Sequence, residues 1–205
     1  MINVPDWFQG DVSRETLEAF EAFEALVIKW SQRINLISKK DLSQVSERHI
    51  WDSAPIFPFV ADANSWIDLG SGGGFPGIVV AILAKEIRPE LKITLIESDA
   101  RKCTFLRTAI RELELNAEVR TDRIERVTDI TADVISARAL ASLDVLLELA
   151  VPLSEMHTKF LFPKGQSWEE EIVRARRKWS FDLTAHSSHT NTNARLLELM
   201  NVRHK

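Results

Sequence analysis

The residues whose types and spacing most clearly suggest chemistry are one acid and three glycines at alternate positions. Asp68, Gly70, Gly72 and Gly74 lie in the stretch SWIDLGSGGGFPGI, which holds five of the chain's seven glycines. Glycine has no Cβ, so a backbone built from it can pass close against a ligand. A carboxylate just ahead of such a loop can help to hold a positively charged group. A pyrophosphate is negatively charged and has no use for a carboxylate there. The pattern therefore favours a ligand with a cationic end that is bound against the backbone.

Two kinds of ligand remain open for this loop. Gly72, Gly74 and Gly77 also match the G-x-G-x-x-G pattern of dinucleotide-binding proteins. Glu97 follows about 20 residues after the last of them, where a carboxylate binds ribose hydroxyls. An NAD(P)-dependent oxidoreductase would need a catalytic acid such as a Tyr-Lys pair, and the chain contains no tyrosine.

The alternative is the loop of methyltransferases that use S-adenosyl-L-methionine (AdoMet), which accounts for Asp68 as well. The loop lacks the G-K-[ST] ending of a nucleotide-hydrolysing P-loop.

Short β-branched runs alternate with helical patterns from about residue 64 onwards. We predict strands at 66–69, 92–98, 117–120, 132–137, 157–164, 181–185 and 196–200, and helices at 78–85, 100–113, 143–149 and 169–177. Such alternation indicates βαβ units, and hence an α/β fold with a doubly wound, mostly parallel sheet. The glycine loop follows the first strand and opens a helix, which is where open α/β sheets bind ligands.

The first 60 residues carry a helical pattern instead. One apolar stripe at helical spacing comprises Phe20, Phe23, Val27, Trp30 and Ile34. Ser13 precedes this stripe and is a candidate N-cap. A second helical piece is predicted over 42–52, before Pro55 and Pro58 break the pattern. We therefore expect an N-terminal helical cap at 1–60, part of the same domain as a core at 61–205.

Several stretches of the chain, in their order, resemble one family. They are KWSQRINLIS (29–38), ERHIWDS (47–53), IDLGSGGGFPGI (67–78), LIESDARKCTFLR (95–107), DRIE (122–125), ISARALASL (135–143) and FPKG (162–165). The glycine loop alone would be unspecific, but its Phe-Pro-Gly ending together with RHIWDS and ARALASL is specific. On these motifs the sequence resembles the bacterial small-subunit ribosomal RNA guanine-N7 methyltransferases, formerly called glucose-inhibited division protein B (RsmG, GidB).

The resemblance implies a fold, a reaction and a set of site residues. The fold would be the Rossmann-like class I AdoMet-dependent methyltransferase fold, with AdoMet as methyl donor. The partner would be 16S ribosomal RNA or the small ribosomal subunit, methylated at N7 of a guanine. The family's AdoMet site falls on Gly70, Phe75, Ile124, Glu125 and Arg138, to which the residues themselves add Asp68, Gly72, Gly74 and Glu97. A methyltransferase with another acceptor, or an RNA-binding assembly factor that keeps AdoMet as a structural ligand, are the alternatives.

Two cations are candidates for orienting a guanine. Guanine N7 carries no proton, so its attack on a methyl group needs no general base, and the enzyme's main task is orientation. Arg138 and Lys164 follow predicted strands on the same rim as the glycine loop, and Arg or Lys is the usual partner of the guanine N7 and O6 edge. These two are therefore the catalytic candidates. Arg48, His49 and Asp52 form a second set on a short helix, where Asp52 can orient the His49 ring. This set would fold over the AdoMet cleft, touch RNA or form structural ion pairs.

The composition restricts the remaining possibilities. The chain has 205 residues, a formal net charge of −4 and a single cysteine, Cys103, which we place in a helix core. There is no H-E-x-x-H motif and no apolar run of roughly 18 residues, so we expect neither a metal nor a membrane partner. We expect a cytoplasmic monomer whose RNA contacts depend on local basic clusters. Five tryptophans could stack on an unpaired base, although core packing is the default role for most of them: Trp7, Trp51, Trp66, Trp168 and Trp179.

Overall fold

The fold is built around one seven-stranded sheet, seen in a computed structural model that describes residues 2–8, 10, 12–60 and 62–205. The strands are β1 (Ser65–Leu69), β2 (Lys92–Glu97), β3 (Ala117–Thr121), β4 (Ala132–Ala137), β5 (Ser154–Lys164), β6 (Trp179–Ser187) and β7 (Arg195–His204). Their order is β3-β2-β1-β4-β5-β7-β6. The first five strands are parallel, and β7 runs antiparallel to both β5 and β6. The predicted doubly wound, mostly parallel sheet is thus confirmed.

Helices alternate with the parallel strands as the sequence predicts. The helices are α1 (Arg14–Ser31), α2 (Trp51–Ser53), α3 (Gly77–Ile87), α4 (Ala100–Leu113), α5 (Leu143–Ala150) and α6 (Trp168–Ala175). Asp99 is the N-cap of α4, since its carboxylate accepts a hydrogen bond from Arg101 N at 2.8 Å, and Cys103 is buried in this helix as predicted. None of the helices in the described ranges is long and apolar enough to cross a membrane.

The N-terminal segment packs against the sheet's own helices. Ser13 is the N-cap of α1, since its hydroxyl accepts a hydrogen bond from Thr16 N at 3.1 Å. The buried side of α1, which includes Phe20, Phe23 and Val27, packs on α3 and α4. These side chains belong to the same apolar cluster as the residues of α3. The helical segment and the sheet therefore share one core.

The prediction for residues 42–52 is only partly right. Helical structure begins later, at Ser46–Ile50, runs through α2 and ends with a 3₁₀ turn at Ala54–Val60. Pro55 and Pro58 do not end the helical run, which changes from α to 3₁₀ at Ala54, just before Pro55, and continues to Val60. We call residues 46–60 the cap turns, because they lie over the carboxyl end of β4.

The sheet places its ligand-binding edge beside these cap turns. The connection after β1 runs toward β2, and the connection after β4 runs in the opposite direction, toward β5, because the strand order is β2-β1-β4-β5. Such a switch point opens a crevice at the carboxyl ends of the strands. The hairpin of β6 and β7 is longer than predicted, and its loop at residues 188–194 reaches the cap turns through a hydrogen bond from Thr190 to Asp52.

Candidate functional site

The glycine loop turns sharply between β1 and α3. Gly70, Gly72 and Gly74 have φ angles of 63°, 52° and 86°, in the left-handed region that residues with a Cβ rarely adopt. A Cβ on Gly74 would lie 2.7 Å from Ile78 Cγ1, whereas a Cβ on Gly72 would meet only Gly70 O, at 3.6 Å. Gly74 is thus required for packing inside the protein. Gly72 leaves space free on the side of the loop where a ligand can lie.

Asp68 lies beneath this loop. It is 1% exposed, and its Oδ1 accepts a hydrogen bond from Ser136 Oγ at 2.7 Å. Its Oδ2 accepts one from Gly77 N at 3.3 Å, and Ser136 Oγ accepts one from Trp66 Nε1 at 2.7 Å. Burial raises the pKa of Asp68 to about 6, although the hydrogen bonds lower it. Asp68 therefore fixes the start of α3 from within the protein, which differs from the direct ligand contact suggested by the sequence.

Glu97 ends β2 and faces the same loop. Its Oε2 accepts a hydrogen bond from Gly72 N at 3.0 Å. Its Oε1 accepts hydrogen bonds from Ser98 N at 2.7 Å and Asp99 N at 2.8 Å. The carboxylate thus ties the glycine loop to the start of α4. Because each carboxylate oxygen has two acceptor sites, Oε2 can take one further hydrogen bond from a ligand.

The turn after β3 lies at the same edge of the sheet. Ile124–Arg126 form one 3₁₀ turn, and the preceding Asp122 N donates to Glu97 O at 3.2 Å. Ile124 is half-buried against the apolar core, whereas Glu125 is exposed. The glycine loop, Glu97 and this turn therefore follow three adjacent strands, in the arrangement that the sequence predicted.

Arg138 joins the sheet to the cap turns. It follows β4, and its Nη2 donates to Arg48 O at 2.8 Å and forms an ion pair with Asp52 Oδ2 at 3.2 Å. Its Nη1 donates to Ser53 Oγ at 3.3 Å. The guanidinium carbon lies 5.9 Å from the centroid of the Phe75 ring, which belongs to the glycine loop. One side chain thus connects the loop, the end of β4 and the cap turns.

His49 is a neutral acceptor toward Arg138. Its Nδ1 lies 3.0 Å from Arg138 Nη2, and arginine can only donate, so Nδ1 carries no proton. Burial, with the charge of Arg138, lowers the pKa of His49 to about 4. The prediction that Asp52 orients this ring is wrong, because the Asp52 carboxylate pairs with Arg138 instead. The His49 ring packs on Phe75, with 5.0 Å between centroids.

Lys164 ends β5 and is held by an acidic partner. Its Nζ donates to Ala141 O at 2.6 Å and lies 2.9 Å from Glu171 Oε2. Glu171 Oε2 also accepts a hydrogen bond from Leu143 N at 2.8 Å. The Lys164 side chain is 8% exposed, and its ammonium group has three hydrogens, of which these two contacts use two. Lys164 therefore has a structural role, with one donor left.

A cleft of about 620 Å³ opens beside Arg138, away from the glycine loop. It lies between the carboxyl ends of β4 and β5, the cap turns and the loop at 188–194. Arg138, Lys164, His49, Asp52 and Arg195 all line it. Among the described residues, its lining includes none from the glycine loop. The predicted site residues thus fall into two groups. One group lies on the glycine loop, at the end of β2 and in the turn after β3, the other lines this cleft, and Arg138 lies where the two groups meet.

Several contributors to the site were not found from the sequence. Asp41 and Glu171 line the cleft, but both lie in charged stretches that look like solvated helix faces. The loop at 188–194 carries polar residues without a motif. Ser136 had a usable signal, because it lies opposite Asp68 in the neighbouring strand. That register could be read only once the pairing of β1 with β4 was known.

Known proteins resemble this chain over nearly its whole length. The family model described as rRNA small subunit methyltransferase G matches residues 16–200. A protein named ribosomal RNA small subunit methyltransferase G from Ruegeria sp. (strain TM1040) is 45% identical over 192 residues, which are 94% of each chain. One of the same name from Cereibacter sphaeroides (strain ATCC 17029 / ATH 2.4.9) is 47% identical over 197 residues, 96% of each chain.

Solved structures resemble the fold at low sequence identity. An O-methyltransferase from Bacillus cereus in complex with SAH has a TM-score of 0.57 at 14% identity, over 94% of this chain and 93% of that one. A SAM-dependent methyltransferase from Aquifex aeolicus has a TM-score of 0.59 at 14% identity, over 80% of this chain and 95% of that one. The fold is therefore the Rossmann-like class I methyltransferase fold that the sequence predicted.

Proposed function

Because the chain belongs to the rRNA small subunit methyltransferase G family, we propose that it transfers a methyl group from AdoMet to N7 of a guanine in 16S ribosomal RNA. The position of Arg138, between the glycine loop and the cleft of about 620 Å³, is the observation that carries the proposal. A methyl donor on one side of this residue and an acceptor base on the other would meet beside it. With a ribosomal RNA substrate, the protein works in the cytoplasm.

The edge formed by the glycine loop, β2 and β3 fits AdoMet. AdoMet would be held in the space left by Gly72, where the free acceptor site of Glu97 would take a hydrogen bond from a ribose hydroxyl. The apolar side chain of Ile124 and the backbone amide of Glu125 would hold the adenine. Asp68 supplies negative charge from beneath the loop, which favours a cationic ligand. When bound, AdoMet supplies a methyl group on a positively charged sulfur.

The cleft suits a nucleophile that carries no proton. Three carboxylates that line it are each close to a cation: Asp52 to Arg138, Glu171 to Lys164, and Asp41 to Arg48. Each of these carboxylates is thus already engaged by a cation of the protein. An acceptor amino group or hydroxyl would need a base to take its proton, whereas guanine N7 carries no proton, so the engaged carboxylates fit N7 as the acceptor.

Lys164 and Arg138 take different roles toward the base. The remaining hydrogen of the Lys164 ammonium donates to guanine O6, which fixes the orientation of the ring. Arg138 stays with the cap turns and positions Phe75 and His49 on the cofactor side. A cation placed directly against N7 would oppose the positive charge that develops on the base. Orientation by Lys164 at O6 avoids that conflict.

Labelled AdoMet tests the proposal directly. The protein is incubated with small ribosomal subunits that lack N7-methylguanine, and the RNA is then digested to nucleosides. We expect the label in 7-methylguanosine and none on large subunits. Label in another nucleoside or in a ribosomal protein would contradict the acceptor. Binding of AdoMet without transfer to subunits or free RNA would favour an assembly factor.

A further inference from the structure

A second cleft of about 570 Å³ lies beside the first one. The two clefts share Arg48, Trp51 and Thr190 in their linings. The other residues of the second cleft come from the N-terminal segment and from the turns around residue 44. A single wall therefore separates the candidate guanine site from a neighbouring space of similar size.

An aromatic pair forms part of this wall. Trp7 lines the second cleft and His189 lines the first. Their rings are stacked, with 4.7 Å between centroids and 3° between planes. The adjacent Thr190 donates a hydrogen bond to Asp52 Oδ1, and Asp52 pairs with Arg138. The pair is thus connected to the side chain on which the proposed reaction depends.

Trp7 differs from the other tryptophans considered from the sequence. Trp51, Trp66 and Trp179 are 2%, 0% and 5% exposed and belong to the core. Trp168 is partly exposed, but the guanidinium of Arg195 lies 5.6 Å from its ring centroid. Trp7 is partly exposed and lines a cleft. The structure therefore favours Trp7 as a surface for a nucleotide base.

We propose that the second cleft binds the nucleotide next to the methylated guanine, with its base stacked on Trp7, while the guanine lies in the first cleft beside His189. The inference rests on the proposed function, because it assumes that the first cleft holds the acceptor. Neighbouring bases in RNA stack on each other, and this stacking must be broken before the guanine can enter a cleft. The Trp7–His189 pair enters between the two bases and replaces the lost contact on both sides.

The charged and polar residues of the wall fit the phosphate that links the two nucleotides and the edge of the second base. Arg48 lines both clefts, and its side chain is 57% exposed. It is placed to contact the phosphate that links the two nucleotides. Asn3 and Gln44 in the second cleft supply amide donors and acceptors for a base edge. The second cleft thus combines an aromatic face, the Arg48 cation and uncharged polar groups, as single-strand RNA sites do, and it also holds the carboxylate of Glu47.

Substitutions of Trp7 test the proposal. In Trp7→Leu we expect the KM for small subunits to rise about tenfold, within the range for loss of base–aromatic stacking. Trp7→Phe keeps an aromatic ring and should stay within about threefold of wild type. The AdoMet Kd should change little in both variants, whereas the melting temperature of Trp7→Leu should fall because the ring also packs against the apolar core. Trp30→Leu, which removes a half-buried ring packed on Phe105, is the control: it should lower stability without raising the KM.

A fluorescent base gives a second readout that does not depend on turnover. Small-subunit RNA fragments that the wild-type protein methylates are prepared with 2-aminopurine on either side of the target guanine. We expect quenching on wild-type binding for one of the two positions, and its loss in Trp7→Leu. Normal quenching and an unchanged KM in Trp7→Leu, with active wild-type protein, would overturn the second cleft as a nucleotide site. An equal loss in Trp7→Phe would overturn stacking. Failure of the wild-type protein to methylate any RNA would instead contradict the proposed function.

Discussion

The Arg138 guanidinium and the Asp52 carboxylate form an ion pair with 3.2 Å between Nη2 and Oδ2. The two side chains are 18% and 24% exposed, so solvent screens the pair less than an ion pair on an open surface. Arg138 belongs to the sheet and Asp52 to the cap turns. The pair therefore holds the cap turns where the two halves of the candidate site meet.

Removal of Arg138 should affect both transfer and stability. Arg138→Ala leaves Asp52 and the carbonyl of Arg48 without their partner. We expect a loss of about 100-fold or more in kcat/KM, because misplaced groups at an active site have effects of this size. The free energy of unfolding should fall by about 2 kcal/mol, less than for a fully buried pair. Steady-state kinetics and denaturant titration measure the two effects.

Arg111→Ala is the matched control for Arg138→Ala. The Arg111 side chain is 77% exposed and lies 3.9 Å from Glu112. Its removal should change the unfolding free energy by less than about 0.5 kcal/mol and leave transfer unchanged. Wild-type turnover in Arg138→Ala would contradict the role given to Arg138.

Gly72 and Gly74 should respond differently to alanine. Both need a left-handed backbone, which costs roughly 1–2 kcal/mol for a residue with a Cβ. Gly74→Ala also overlaps Ile78, so we expect a total loss of stability of about 3 kcal/mol. Gly72→Ala meets no such neighbour and should instead weaken AdoMet binding by about tenfold or more, as measured by calorimetry.

A third glycine serves as the control for these two. A Cβ on Gly165 would meet nothing within 4 Å, so Gly165→Ala should keep wild-type AdoMet affinity. Wild-type affinity in Gly72→Ala would show that the cofactor does not lie against the open side of the loop.

The sheet and the glycine loop could be predicted because local patterns determine them. Strands with β-branched runs alternate with helices, and glycines mark the turn at residues 70–77. The partners of Arg138 could not be predicted, because they depend on how the cap turns dock. Asp52 shares a helical face with His49 in the sequence pattern, yet it pairs with a residue that lies far along the chain. Likewise, the sequence marks Lys164 as a cation at a strand end, but no local pattern marks Glu171 as its partner.

AdoMet binding should depend on pH through Asp68. Burial raises its pKa to about 6, so the carboxyl gains a proton as the pH falls through that value. The protonated form no longer attracts a cationic ligand, and we expect the AdoMet Kd to rise several-fold between pH 7 and pH 5. Arg138 is the charged group that acts on Asp68, and His49, with a pKa of about 4, stays neutral over this range. Calorimetry across the pH range measures the change, and Asp68→Asn should abolish it.

The same pKa shift makes the folding stability of the protein depend on pH. An unfolded aspartate loses its proton near pH 4, whereas folded Asp68 keeps its proton up to about pH 6. The folded state therefore binds more protons in this window, and Asp68's contribution to stability falls as the pH rises from about 4 to 6. Asp68→Asn should lack this loss. An identical pH profile for wild type and Asp68→Asn would contradict the assignment.

Ser136 should set the midpoint of the AdoMet pH profile. Its hydroxyl donates to Asp68 and stabilises the ionised carboxylate. Ser136→Ala should therefore move the midpoint to higher pH. Thr158 is another buried hydroxyl, but it donates to Ala132 O, so Thr158→Val should lower stability without moving the midpoint. An unmoved midpoint in Ser136→Ala would remove Ser136 from the site.

The structural and chemical roles of Lys164 can be separated. Lys164→Met leaves the nearly buried Glu171 carboxylate without its cation, and we expect a loss of stability of about 2–3 kcal/mol. The double variant Lys164→Met/Glu171→Gln should recover most of this stability, since no charge is left unpaired. Its kcat/KM for small subunits should stay about tenfold or more below wild type, because guanine O6 has lost its donor. Recovery of wild-type transfer in the double variant would make Lys164 purely structural.

The position of the methyl group on the RNA tests the central claim most directly. An N7-methylated guanine can be cleaved chemically after reduction and treatment with aniline, so small-subunit RNA is mapped after reaction with AdoMet and the protein. We predict a single new cleavage at one guanine, present with wild-type protein and lost in Arg138→Ala. Methyl incorporation without any new cleavage would show that the acceptor atom is not guanine N7.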